Sequence, residues 1–275
     1  FIGNYQVTVK KKPRYVDVDK CTGCGICAEE CRMKNRIESE FNEGMGKRSA
    51  VYVPFPQAVP LKYTVDPQNC LFLTRGKCGK SPACKDACEA EAIDFKQKEE
   101  FIELDIGTII VATGFETFKP ERKPELAYQY YENVITGLEF ERLVSASGPT
   151  QGEIIIGEKV PQKIVFIQCV GSRDKNLGNE YCSRVCCMYA VKQAHLVKEK
   201  IPDARVTVLY MDMRCFGKGY EEFYDRVRAE GVIFRRAIGS EIYRKGDGLT
   251  VRTEDTFLQK TVEVDANLVV LSVGM

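Results

Sequence analysis

Residues 21–31 read Cys21-Thr-Gly-Cys24-Gly-Ile-Cys27-Ala-Glu-Glu-Cys31, with two, two and three residues between successive cysteines. At that spacing consecutive thiolates from one tight loop reach three irons of a cubane, and Gly23 and Gly25 admit the backbone close to the sulfides. A second set, Cys70, Cys78, Cys84 and Cys88, is spaced by seven, five and three residues. Four cysteines in two pairs can also close a tetrahedral zinc site. Successive two-residue gaps with a fourth cysteine three residues later suit a cubane better, and the second set at domain distance points to two [4Fe-4S] clusters.

The two sets share a preamble. Val16-Asp-Val-Asp-Lys precedes Cys21, and Val65-Asp-Pro-Gln-Asn precedes Cys70, so one half-unit is expected to occur twice. This resembles the two-cluster ferredoxins, in which the fourth cysteine of each run crosses to the other cluster. The resemblance assigns Cys21, Cys24, Cys27 and Cys88 to one cluster, and Cys70, Cys78, Cys84 and Cys31 to the other. Residues 32–64 are longer than such a connection needs, and Pro54, Pro56 and Pro60 preclude a regular helix there. That segment is expected to lie over the clusters or against a partner.

The chain has 275 residues, 44% hydrophobic and 29% charged, enough for one large or two moderate domains. Its thirteen cysteines are not those of a short secreted disulfide scaffold, and no charged leader with an apolar run precedes the first motif. A cytoplasmic, metal-loaded chain is expected. Forty basic against 39 acidic residues give no argument for nucleic acid, and no apolar stretch reaches spanning length. With Phe1 at its start and Met275 following a strand-like run, it reads as an internal piece of a longer polypeptide.

The stretch from Phe101 is predicted to form one strand, a turn at Asp105 to Gly107, and a second, buried strand at Thr108–Ala112. The Ile-Val-Ala112-Thr113-Gly114 ending resembles the strand end that lies beside the flavin in two-dinucleotide-binding-domain flavoproteins such as thioredoxin reductase. Apolar strands ending in Thr-Gly are also common without that role. Further on, a helix is predicted over 138–145 and a strand from Lys163. Strand, turn and helix would then make a Rossmann first unit, but its turn reads Gln168-Cys-Val-Gly-Ser-Arg173, with one glycine of the Gly-x-Gly-x-x-Gly fingerprint. Pyrophosphate cannot approach such a backbone closely, so no nicotinamide nucleotide is expected to bind. Tyr181-Cys182-Ser-Arg-Val-Cys186-Cys187 is predicted to open a helix running to about Glu199, with Cys182 and Cys186 on one face and Cys169 at the strand end. Buried free thiols, a redox dithiol of Cys182 and Cys186, and a metal centre all fit; crowding of cysteines in a degenerate nucleotide site favours metal.

Three segments carry a closer resemblance: Cys169-Val-Gly-Ser-Arg-Asp, Tyr181-Cys-Ser-Arg-Val-Cys-Cys-Met-Tyr-Ala-Val-Lys192 and Tyr210-Met-Asp-Met-Arg-Cys-Phe-Gly-Lys-Gly-Tyr-Glu-Glu. They resemble the A subunit of heterodisulfide reductase, which carries the flavin and iron-sulfur clusters in electron-bifurcating complexes. The resemblance implies an α/β fold: a thioredoxin-reductase-like, Rossmann-type domain over 101–275 and an inserted α+β ferredoxin-like domain over 1–100. It also implies an atypical third [4Fe-4S] cluster on Cys169, Cys182, Cys186 and Cys187, and FAD near Ala112, Thr113, Gly114 and Lys192. The chain lacks the first glycine fingerprint and the closing flavin segment of that family. Implied partners are the other reductase subunits, a hydrogenase or formate dehydrogenase module as electron donor, and ferredoxin. The implied function is electron transfer during flavin-based reduction of a CoB-CoM type heterodisulfide. A nicotinamide-dependent flavin disulfide oxidoreductase cycling Cys182 and Cys186 is the alternative, and a docking module without redox work a third reading. His195, the sole histidine, is expected to be packed or solvated and excludes a two-histidine Rieske site. Cys215 is expected to be a free thiol.

Overall fold

The computed structural model describes residues 2–275. Two compact units follow one another, the first running through Thr113 and the second spanning Gly114–Met275. The first contains, in order, β1 (Tyr5–Lys11), α1 (Ile26–Glu29), β2 (Ile37–Glu38), β3 (Lys47–Arg48), β4 (Val51–Tyr52), β5 (Thr64–Val65), α2 (Leu71–Arg75), α3 (Ala83–Asp86) and β6 (Glu100–Ile106). Long elements are absent from its centre because the backbone there wraps two groups of thiols, and Gly23 and Gly25 hold left-handed φ angles of 78° and 91°.

The repeated preamble folds twice in the same way. Asp17 Oδ1 accepts from the backbone N–H groups of Asp19 and Lys20, and Asp66 Oδ1 from those of Gln68 and Asn69. In both halves the cysteine that follows closes the turn, Cys21 N–H on Asp17 O and Cys70 N–H on Asp66 O. The halves also exchange strands. Val16 bridges Ile93, beyond the second cysteine set, while Val65 pairs with Val51, beyond the first. Those four side chains form one buried cluster with Cys21, Cys27, Cys70 and Cys84.

β1 and β6 make an antiparallel ribbon from Tyr5↔Ile106 to Lys11↔Glu100. That ladder ties residues 100–106 to the first unit and moves the expected boundary at 100 to Thr113. The predicted buried strand at Thr108–Ala112 does not form: residues 107–116 are exposed and 108–119 have no regular structure, with Ile110 88% exposed. An apolar run becomes a buried strand only against a neighbouring edge, and the described residues provide none there.

The second unit contains β7 (Val134–Thr136), α4 (Gly137–Val144), β8 (Lys163–Val170), α5 (Cys186–Lys200), β9 (Arg205–Tyr210), α6 (Tyr220–Ala229), β10 (Ile233–Lys245), β11 (Gly248–Asp255), β12 (Lys260–Ala266) and β13 (Leu268–Val273). Its sheet order is β12-β11-β10-β9-β8-β13-β7. β7, β13, β8, β9 and β10 run parallel, and β11 and β12 extend β10 antiparallel. β13 is buried along its whole length, as a central parallel strand covered on both faces requires. α4 and α5 pack against it, and Phe140 of α4 meets Phe166 of β8 edge to face at 5.7 Å, a contact worth about 0.5–1.5 kcal/mol beyond area burial. α4 starts on a capping box in which Thr136 and Glu139 satisfy each other's backbone N–H groups.

Crossovers of this kind put loops at the carboxyl ends of the strands, where α/β sheets bind ligands. Cys169, Cys182 and Cys215 lie in or beside the loops after β8 and β9. The β8 loop is long: residues 171–185 carry a one-turn excursion bridged at Asp174↔Asn179 before α5 begins at Cys186. Cys182 therefore lies before the helix, not on its face with Cys186. Arg184, at φ 63°, is the physical stop, since a left-handed residue cannot continue a right-handed helix towards the N-terminus.

Candidate iron–sulfur centres

Cys21, Cys24, Cys27 and Cys88 line one cavity of about 310 Å³, far above the ~10–15 Å³ that admits a single water. Cys24 is the exposed member. Hydrogen bonds from the Ile26 backbone and the Thr22 side chain pull its thiol below the ordinary value. Cys27 is pushed up to about 12 by burial and then by charge on Cys88, Cys21 and Cys24. Cys88 thus faces the first set although it ends the second. Gathered, buried thiols that oppose one another's ionisation become stable thiolates only around a cationic centre, and here the space for one exists.

Cys31, Cys70, Cys78 and Cys84 line a second, tighter cavity of about 10 Å³. Burial raises Cys84 to about 12, followed by charge on Cys31 and Cys70. The donor set suits a cubane. Phe72 and Phe95, their rings tilted by 46° with centroids 4.6 Å apart, line the same cavity. Among the described residues no three His, Cys, Asp or Glu side chains gather tightly enough for one metal ion. The thiols line cavity walls instead.

In the second unit, burial and then charge on Cys187 push Cys169 up to about 11, and Cys182 adds to this. Cys186 rises to about 12 through burial and then Cys169, with smaller contributions from Cys187 and Cys182. Burial raises Cys187 as well, and Cys182 opposes its ionisation too. The four thiols therefore meet in one electrostatic neighbourhood across the β8 end, its loop and the first turn of α5. Arg173, paired with Asp212 at 2.7 Å, and Arg214 favour the thiolate forms. Cys186 Sγ and the Tyr189 hydroxyl both point to Val273 O, at 3.7 and 3.0 Å. Gln168, next to Cys169, is 6% exposed and neither atom of its amide has a protein partner. A buried amide left in that state is suited to a further polar group.

Other expected residues sit less decisively. Ala112, Thr113 and Gly114 are exposed, and Lys192 Nζ pairs with Glu141 Oε2 at 2.6 Å. His195 is packed: it contacts Glu230 at 2.8 Å and lies edge-on to Phe223. Cys215 is raised to about 11 by burial and then by Cys187, so it neighbours the third group, a proximity that its isolated sequence position does not signal.

Crossed pairs of cysteines in a twofold-repeated unit, joined to a parallel α/β unit with further thiols at its carboxyl edge, are the arrangement of an iron–sulfur-binding chain. The 4Fe-4S binding domain family matches residues 14–34. Over its full length the chain is 50% identical to the A subunit of H(2):CoB-CoM heterodisulfide,ferredoxin reductase from Methanothermobacter thermautotrophicus, of which it covers 41%. It is 49% identical to the A subunit of H(2)/formate:CoB-CoM heterodisulfide,ferredoxin reductase from Methanococcus maripaludis, again covering 41%. Thioredoxin reductase of T. acidophilum superposes at a TM-score of 0.35 with 12% identity, covering 82% of this chain and 63% of its own, too loose a match to define the fold. The chain is thus similar over its full length to heterodisulfide reductase A subunits, and spans about two fifths of these relatives' length. No helix among the described residues is long and apolar enough to cross a membrane.

Proposed function

We propose that this chain is the electron-relay segment of a heterodisulfide reductase, within its flavin and iron-sulfur polypeptide. It would hold two ferredoxin-type [4Fe-4S] clusters, on Cys21, Cys24, Cys27 and Cys88 and on Cys31, Cys70, Cys78 and Cys84, and an atypical third on Cys169, Cys182, Cys186 and Cys187. The observation that carries the reading is the exchange of Cys31 and Cys88 between the two thiol cavities of the first unit. Bound there, the clusters supply one-electron storage at potentials set by hydrogen bonding and exposure. The chain's own residues supply the thiolates, exclude water around Cys27 and Cys84, and place Arg173 and Arg214 beside the third group.

FAD is the second cofactor implied by the family. The described residues do not enclose it by themselves, since Ala112 to Gly114 are exposed and Lys192 is paired with Glu141. Its pocket requires the rest of the longer protein. In that setting, electrons from a hydrogenase or formate dehydrogenase module are proposed to divide between ferredoxin and a disulfide on a partner protein. Relatives named for hydrogen, for hydrogen or formate, and for ferredoxin or F420H2 support a donor that differs between lineages.

The test is iron, labile sulfide and electron paramagnetic resonance on anaerobically purified protein. About twelve irons per chain are expected from three cubanes. Stoichiometric zinc without labile sulfide would overturn the reading.

A further inference from the structure

The long connection at residues 32–64 folds back onto the first thiol cavity through several independent contacts. Lys62 Nζ donates to Cys21 O, and Arg14 clasps the same strand end by donating to Lys62 O and, at 2.7 Å, to Tyr63 O. Leu61 O lies 2.9 Å from where a Cβ on Gly23 would stand, and the Tyr63 hydroxyl 3.0 Å from where a Cβ on Gly25 would stand. The glycines of the ligand loop thus make room for this segment as well as for an inorganic core. Tyr63 lines the 310 Å³ cavity with Cys21, Cys24, Cys27 and Cys88. Among the described residues its hydroxyl has no hydrogen-bond partner, and the second cavity has no hydroxyl in its lining.

On the reading that the first cavity holds a [4Fe-4S] cluster, we infer that residues 61–63 cover it and that Tyr63 is a positioning residue whose hydroxyl donates to the sulfur of that cluster. Reduction adds negative charge to the cluster and its thiolates, so an O–H donor held against sulfur favours the reduced form and raises the potential. The segment lies against the cavity whose ligand set, among the described residues, includes the exposed Cys24. The length of the 32–64 connection then has a function: it distinguishes one of two otherwise repeated sites.

The experiment is an EPR-monitored redox titration of the full chain and of Tyr63→Phe, both purified anaerobically with iron and sulfide counted. Tyr63→Phe should keep its iron while one ferredoxin-type signal shifts to lower potential by roughly tenfold in the reduction equilibrium, about 59 mV for one electron. The other signals should stay in place. In D2O, ENDOR of the parent chain should show one exchangeable deuteron coupling beyond those of the Thr22 hydroxyl and the Ile26 amide on Cys24, and the variant should lack that one coupling. Unchanged potentials and deuteron couplings in an iron-replete variant would overturn the assignment and leave Tyr63 a packing residue. A parent chain without iron would instead defeat the cluster reading itself, so the two failures are distinguishable. Should Tyr63→Phe lose iron, the parent chain decides: exchangeable deuteron couplings no more numerous than the Thr22 and Ile26 donors account for would defeat the inference.

Discussion

Asp66 shows how one side chain serves both the turn and the fold. Burial alone would push its carboxyl up, but hydrogen bonds from Asn69, Arg48 and the backbone N–H groups of Gln68 and Asn69 hold it below the usual carboxylate range. Its folded value lies below its unfolded one, about 3.9. The stabilisation is therefore present above that pH and is lost as pH falls through the folded value. Asp66→Asn is expected to destabilise the first unit by about 2 kcal/mol at neutral pH, with the difference closing in acid. Urea midpoints measured across that range check it. Gly171, at φ 76°, makes a second case: a Cβ there would stand 2.0 Å from the Phe118 ring. Gly171→Ala is expected to cost about 2 kcal/mol or more, read from thermal unfolding. The need for glycine here was visible in the sequence only as the one survivor of a fingerprint. The Phe118 ring, far away in sequence, was not visible at all.

Among elements, α5 separates what patterning reveals from what it hides. Its extent to residue 200 follows from apolar positions at helical spacing, but its start was misplaced by five residues because Arg184's left-handed backbone leaves no mark in composition. The β strand at 163–170 was legible as an apolar run before a turn, whereas Ile109 to Val111 gave the same signal without a partner edge to bury it. Periodicity reports what a segment needs, not whether the need is met. For the candidate site at the start of α5, a Cys186→Ala, Cys187→Ala double variant is expected to lose about four irons while retaining the other signals. Iron analysis reads this directly, and an unchanged count counts against the third group. At α4, Thr136→Ala removes the capping box and should cost about 1 kcal/mol in denaturant unfolding.

At the scale of the whole molecule, the first cysteine set was legible from its gaps of two, two and three residues, and the second, with gaps of seven, five and three, from the preamble it shares with the first. The gathering of Cys169 with Cys182, Cys186 and Cys187 needed the sheet to form first, since Cys169 belongs to a strand end and the others to a distant loop and helix. With one glycine left at that strand end, titration with NADH or NADPH is expected to produce no binding heat. Dissociation in the low micromolar range, about 8 kcal/mol, would revive a dithiol oxidoreductase.

The ribbon of β1 and β6 has a consequence for how such a protein is assembled over evolutionary time. Tyr5 and Ile106 are cross-strand partners, so the polypeptide departs from the first unit beside the point at which it arrived. Neighbouring strands lie about 4.7–4.9 Å apart, close enough for a tight turn to span them. A host loop can thus acquire or lose the intervening segment without its own ends being stretched, and the entropy of closing it is met by the segment's internal packing. The unit behaves as a transplantable cassette: a polypeptide of residues 1–113 is expected to fold in isolation and take up about eight irons, measurable after anaerobic reconstitution.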